Sequence, residues 1–334
     1  MTWRNGAVVG GLALALCAGA ALAAIPPDIQ AKLREIGRVI EAGETAKLYR
    51  PLFAEGLPAD VSATRDIAFG DDPKQKLNVY GSALGKGPAR TVLIFAPGGQ
   101  GVKQMGGHDG EPFYDNLGAW GVKNGLVVVT TQYRTGGGAA WDAGARDLAS
   151  TIQWVKANIA KQGGDPARIV IMGQSNGATQ LANYLGHADL QGPGGPGVKG
   201  AILMAGNFNI LPIKLTSPPA RLVTPRPPGA PAGGPPAAAP FPAPPPVDPA
   251  VMAQRSDLAG LRAAPIPIMV IAAELDPEER VEMVEVLGRE LRAAGRSPTT
   301  AIVPGHSHIS EILSFGTADD TMSAPVLKFI RGVG

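Results

Sequence analysis

Eight short apolar runs recur along this chain, separated by helical or turn-rich stretches, and that alternation narrows the possible folds more than any other feature. The runs occupy 66–69, 76–80, 91–96, 126–132, 168–172, 200–204, 266–272 and 300–303. Their length and β-branched content suit strands, whereas 141–161, 176–185, 278–294 and 324–330 carry apolar residues at helical spacing. A strand that is apolar on both faces has to be covered on both faces. Helices between successive strands supply that cover and favour parallel pairing through crossovers. The expected architecture is therefore α/β: a mostly parallel eight-stranded sheet with helices on both faces. A hydrophobic fraction of 45% with 17% charged residues is enough to fill such a core. A further amphipathic helix is expected over 29–40, lying against the main body.

The N-terminus stands outside this pattern. Arg4 supplies a positive start, residues 7–18 are apolar, and Ala21-Leu22-Ala23 places small residues at the two positions that a signal peptidase reads. Residues 1–23 are read as a signal peptide cleaved after Ala23, with residues 24–334 as the mature domain. The apolar run falls short of the ~20 residues needed to cross a bilayer, so no stable membrane insertion is expected after cleavage. Cys17 is the only cysteine and lies in this leader, which leaves no thiolate chemistry and no disulfide in the mature chain. The chain holds 30 basic and 28 acidic residues, and losing Arg4 brings these nearer to balance. Nucleic-acid binding, which relies on a concentrated basic face, is not expected. The reading implies export to the periplasm or the medium.

A second departure spans 217–250, built mainly from Pro, Ala and Gly and including Pro244-Pro245-Pro246. With Leu222, Val223 and Val247 as almost its sole aliphatic side chains, it buries too little to offset its ordering entropy. Strand and helix patterns resume on both sides of it. It is read as a flexible insertion within one domain.

Chemistry concentrates at Gly173-Gln174-Ser175-Asn176-Gly177, which follows the strand pattern of 168–172 and leads directly into the helix pattern of 176–185. A serine on so tight a strand-to-helix turn is exposed, within reach of a base, and close to the positive end of a helix. Serine is also a good helix N-cap, so the alternative is a purely structural role. The strand, turn and helix together favour a nucleophile.

The chain resembles the α/β-hydrolase superfamily, in particular its carboxylesterase and hormone-sensitive-lipase-like branch. Besides the turn at Ser175, the stretch from Asp147 through Trp154 to Gly163-Gly164-Asp165-Pro166 and Arg168 is similar to the helix and turn before the nucleophile strand in those esterases. The resemblance runs from about residue 76 to the C-terminus, apart from the proline-rich stretch. It implies the order nucleophile, acid, base. Of four histidines, His108 precedes Ser175 and His187 has no strand-end acid before it, which leaves His306 and His308. The resemblance favours His308, followed by apolar Ile309, with His306 as the alternate. For the acid it favours Asp276, in the Asp-Pro turn after the run at 266–272, with Glu274 in reserve. Asp276 before Pro277 is equally suited to capping the next helix. The loop Pro97-Gly98-Gly99-Gln100-Gly101 is similar to the family's His-Gly-Gly-Gly loop, with proline in place of histidine and Gln100 in place of a glycine. Amides of Gly99 and Gln100, with Asn176 opposite, are the expected oxyanion donors, and His108 is expected at the rim.

These assignments imply a serine hydrolase cleaving small-molecule carboxylic esters through Ser175, His308 and Asp276 and an acyl-enzyme, with no metal or organic cofactor. A peptidase, thioesterase or acyltransferase could use the same machinery, and a silent hydrolase fold could serve as a binding protein. Two histidines two residues apart could also ligate a metal.

Overall fold

The computed structural model describes residues 24–85, 87–103, 112–136, 138–223, 238–240 and 247–334. The expected leader, Cys17, His108 and most of the proline-rich stretch lie outside the described residues.

The strands in chain order are β1 (Val61–Ala68), β2 (Lys76–Ser82), β3 (Arg90–Ala96), β4 (Val127–Thr131), β5 (Gly164–Gln174), β6 (Gly200–Met204), β7 (Arg221–Val223), β8 (Ala238–Pro240), β9 (Ile268–Leu275) and β10 (Thr299–Ser307). Eight of them form one sheet in the order β1-β2-β4-β3-β5-β6-β9-β10. β2 runs antiparallel to both β1 and β4, and the pairs from β4 to β10 are parallel. The helices are α1 (Pro27–Ile36), α2 (Gly43–Tyr49), α3 (Asp115–Lys123), α4 (Ala143–Asn158), α5 (Asn176–Gly186), α6 (Pro249–Gln254), α7 (Leu258–Ala263), α8 (Glu278–Ala293), α9 (Ser310–Leu313) and α10 (Ser323–Val333).

The alternation of each strand sorts its side chains into two cores. Ile94, Ile171, Leu203 and Val270 face Leu148, Ile152, Leu181 and Leu287 of α4, α5 and α8. On the other face Leu93, Phe95, Val170, Met172 and Ile271 meet Leu33, Leu117, Val326 and Ile330 of α1, α3 and α10. Each such side chain taken fully out of water contributes roughly 1.5–3 kcal/mol. Both faces of the central strands are thus covered, as their apolar character on both faces requires.

Several boundaries differ from the sequence reading. α1 stops at Ile36, short of residue 40, because Gly37 follows with φ 77°, outside the helical region. The first strand is longer than the run at 66–69 and begins at Val61, paired along β2. Within 217–250, the described Arg221–Val223 pairs with Ala238–Pro240, and Ile40 exchanges backbone bonds with Arg221 O (2.8 Å) and Val223 N (2.9 Å). Backbone bonds at Arg221 and Val223 therefore anchor this part of the stretch to the chain that follows α1. Asp248 caps α6, its side chain accepting from Ala250 N at 2.7 Å. Among the described residues no helix is long and apolar enough to cross a membrane.

Candidate active site

β5 ends at Gln174, α5 begins at Asn176, and Ser175 between them has φ 54° and ψ −120°. A non-glycine residue rarely adopts this backbone conformation, and it persists where the surroundings impose it. They do so here by close packing. A β-carbon at Gly173 would stand 2.5 Å from Gly177 O, and one at Gly177 would stand 2.0 Å from Ala96 O. Both positions require glycine because backbone passes backbone there. Ser175 N is fixed to Met204 O at 2.9 Å, and Thr179 N closes the first helical turn on Ser175 O at 3.1 Å. The Ser175 side chain makes no capping bond, so its hydroxyl is left for other work.

That hydroxyl meets His308. Ser175 Oγ lies 2.8 Å from His308 Nε2, and His308 Nδ1 lies 2.6 Å from Asp276 Oδ1. A buried carboxylate beside Nδ1 holds the ring proton there, which leaves Nε2 to accept from Ser175. Asp276 directly follows β9, and His308 directly follows β10, so two adjacent parallel strands bring them together. Asp276 Oδ2 accepts from Ala273 N at 2.6 Å, while the N-cap of α8 is Pro277 with no side-chain cap. The capping role that the Asp-Pro sequence also allowed is not taken up.

The alternates lie elsewhere. Glu274 Oε2 accepts from Gly305 N at 2.7 Å and sits 3.7 Å from Arg34 Nη2, bracing β10 where its register with β9 shifts. His306 is buried between Ser310 Oγ (3.2 Å), Thr321 Oγ1 (2.9 Å) and Asp319 (3.2 Å). The two histidines are therefore not brought together as a ligand pair. Asp276, His308 and Glu311 do present one ligand atom each within 4.8 Å of one another. A cation there would have to displace the proton held between His308 and Asp276.

The loop after β3 packs directly on the serine. A β-carbon at Gly98 would approach Ser175 Cβ to 2.9 Å and Gln174 Oε1 to 2.5 Å. Gly101 N closes a turn on Gly98 O at 3.1 Å, and Gly99 takes φ 59° within it. Asn176 Nδ2 holds Gly99 O at 2.9 Å and Thr135 Oγ1 at 3.1 Å. Tyr133, fully buried, donates its hydroxyl to Pro97 O at 2.6 Å. Thr135 in turn follows Arg134, which is clamped on the buried Asp147 with Nη2 to Oδ1 at 2.6 Å. Gly99 and Asn176 are thus neighbours beside the serine, with Gln100 next to Gly99 in a loop held by Asn176 and Tyr133.

Residues outside the sequence reading complete the surroundings. Gln174 Nε2 donates to His308 O at 3.0 Å and to Glu311 Oε1 at 2.9 Å, tying the elbow to the histidine loop. Glu311 is fully buried, and loss of solvation, with the charge of Asp276 second, holds its carboxyl well above the usual range. Burial thus disfavours a second negative charge beside the imidazole. Arg280, also buried, lies close to both carboxyls, and burial lowers its guanidinium from the ordinary value. No sequence motif marks either residue, because both are types usually found exposed.

Residues 75–224 match the model of the carboxylesterase family. Among curated proteins, the fumonisin B1 esterase of Sphingopyxis macrogoltabida is 33% identical over 125 residues, covering 33% of this chain and 22% of that protein. Esterase LipC of Mycobacterium tuberculosis is 33% identical over 113 residues, covering 34% and 27%. The chain thus spans well under half the length of these relatives. Among solved structures, a thermostable esterase from Pseudomonas putida superposes with a TM-score of 0.59 at 16% identity, covering 93% of this chain and 98% of that one. An esterase from Pyrobaculum calidifontis gives 0.58 at 16% identity with the same coverage. Likeness at such identity speaks to the fold.

Proposed function

We propose, from the premise that this chain has the α/β-hydrolase fold and is a carboxylesterase relative through residues 75–224, that it hydrolyses carboxylic esters of small molecules. The observation that carries the reading is the hydrogen-bonded line from Ser175 Oγ through His308 to Asp276, at 2.8 and 2.6 Å, on a strained turn. In the proposed reaction Ser175 Oγ attacks the ester carbonyl carbon while His308 Nε2 takes its proton. Amides at Gly99, Gln100 and Asn176 receive the oxyanion, where preorganised donors act with little solvent to screen them. His308 then protonates the departing alkoxide, and the acyl group remains on Ser175. A water, deprotonated by His308, attacks that acyl carbon and frees the acid and the serine. Asp276 keeps the imidazole in the required tautomer and stabilises its charged form.

The test is turnover of p-nitrophenyl butyrate by the protein and by Ser175→Ala. Loss of the nucleophile should lower kcat by roughly 10⁴- to 10⁶-fold. Equal rates would end the proposal, as would failure of a fluorophosphonate to label Ser175. Export also belongs to this proposal: N-terminal sequencing of the protein recovered from a secreting host should begin at Ala24, and recovery of an uncleaved chain would refute it.

A further inference from the structure

A cavity of about 460 Å³ opens beside the nucleophile helix. Thr179 on its near edge donates Oγ1 to Ser175 O at 3.3 Å and accepts from Asn207 N at 3.2 Å. At 1.5 Å of rise per residue, that edge stands roughly 6 Å along α5 from Ser175. The floor is the chain leaving β6, where Phe208 and Ile210 are buried. This floor is firmly built. Asp257, fully buried, accepts from Asn209 N at 3.1 Å, Asn209 Nδ2 donates to Met252 O at 2.8 Å, and Ser256 Oγ donates to Leu211 O at 2.7 Å.

One cation stands on the rim. Arg255, just after α6, lays its guanidinium over Trp141 with Cζ 5.2 Å from the ring centroid. A cation–π contact engages the face of a guanidinium and does not use its in-plane N–H donors, which can pair bidentately with a carboxylate. No carboxylate lies within ion-pair distance of Arg255 among the described residues.

The cavity also lies on a definite side of the reaction. Phe208, Ile210 and Met283 belong to the core shared by α4, α5 and α8, whereas Ile312 and Leu313, which follow His308, belong to the opposite core. The alkoxide has to leave beside His308 to be protonated, so the acyl portion points the other way, towards α5 and the cavity. We infer that this cavity is the acyl subsite and that Arg255 binds a carboxylate at the far end of the acyl chain. The preferred substrates are then half-esters of medium-chain dicarboxylic acids. This inference rests on the ester-hydrolase reading, yet it can be tested apart from it.

The kinetic arm compares p-nitrophenyl half-esters of adipic, pimelic and suberic acid with neutral p-nitrophenyl esters of matching length. The ratio of kcat/KM, anionic over neutral, should exceed unity by roughly 10- to 100-fold at the best length and fall towards one in Arg255→Gln. A ratio near or below one in the unaltered protein, or one that Arg255→Gln leaves unchanged, overturns the subsite. The binding arm needs no turnover: adipate, pimelate and suberate are titrated calorimetrically into Ser175→Ala with and without Arg255→Gln, against the monocarboxylates. Tighter binding of a dicarboxylate that disappears with Arg255 sustains the subsite even if no ester is cleaved, which would refute the ester-hydrolase reading alone. Equal binding of mono- and dicarboxylates overturns the subsite whatever the kinetics show.

Discussion

Glu311 sits with Oε1 4.0 Å from His308 Nδ1, close enough that its charge state decides what the imidazole feels. Burial raises its carboxyl well above the usual range, which favours the protonated, hydrogen-bonding form beside Asp276. Glu311→Gln is neutral at every pH and keeps an oxygen for Gln174 Nε2, so its kcat/KM should stay within about threefold of the parent. Glu311→Leu leaves that buried donor unpartnered and should cost roughly 1–3 kcal/mol of stability. The pH dependence follows from the raised carboxyl. Between the ordinary glutamate value of about 4.3 and the higher folded one, the folded state keeps a proton that the unfolded chain releases. Stability therefore declines as pH rises through that window, and Glu311→Gln removes the decline. Calorimetry should show the Tm of Glu311→Gln improving relative to the parent as pH rises above the ordinary glutamate range; a difference that stays level would mean the buried carboxyl ionises like an exposed one. Ser175 was legible in the sequence because its signal is local, a strand, a tight turn and a helix within one short stretch. Glu311 was not, since its meaning comes from burial that the long separation between Gln174 and the histidine loop conceals.

The elements around the site depend on glycines in two opposite ways. Gly173 and Gly177 were readable as part of a motif, and their reason is steric: Gly177→Ala would press a methyl against Ala96 O at 2.0 Å. Either β3 or α5 has to move, so this substitution should destabilise the fold by about 2–4 kcal/mol and displace Ser175 from His308. Gly194→Ala, where nothing lies within 4 Å, is the control and should change stability by less than about 0.5 kcal/mol. Urea unfolding of both proteins measures the contrast, and equal midpoints would remove the steric account of the elbow. α3 shows the opposite case. Its Gly118 and Gly121 disfavour a helix by propensity, and the sequence reading had none there. In the fold, β-carbons at these positions would stand 2.4 Å from Tyr80 and 2.1 Å from Val128, so the glycines let α3 lie flat on β2 and β4. Tertiary packing overrode propensity, and no periodicity in the sequence could announce it. The sheet itself was legible because its strands are apolar on both faces, a signal that survives errors of a few residues at each end.

At the scale of the molecule, the site joins residues far apart in sequence, Ser175 and His308 being 133 positions from each other, through a sheet whose strands deliver them to one edge. The chain between β6 and β9 is the longest departure from that sheet, and the fold makes it removable in part. Val223 and Ala238 are register partners in the β7–β8 pair, so residues 224–237 leave and return at adjacent points. An Asn-Gly turn suits such a two-residue closure. Replacing 224–237 by Asn-Gly keeps the bonds from Ile40 to Arg221 and Val223 that fasten this pair to the N-terminal part of the chain. Shortening the loop lowers its closure entropy, so the variant should be as stable as the parent or more stable by about 1–2 kcal/mol. Its kcat/KM across p-nitrophenyl esters from acetate to octanoate should follow the parent's, because the cavity beside α5 is formed by Phe208, Ile210, Met252 and other residues that the replacement leaves in place. A selective loss on long acyl chains would instead assign 224–237 to the cover of the acyl site, and a fall in stability would show that these residues pack against the body.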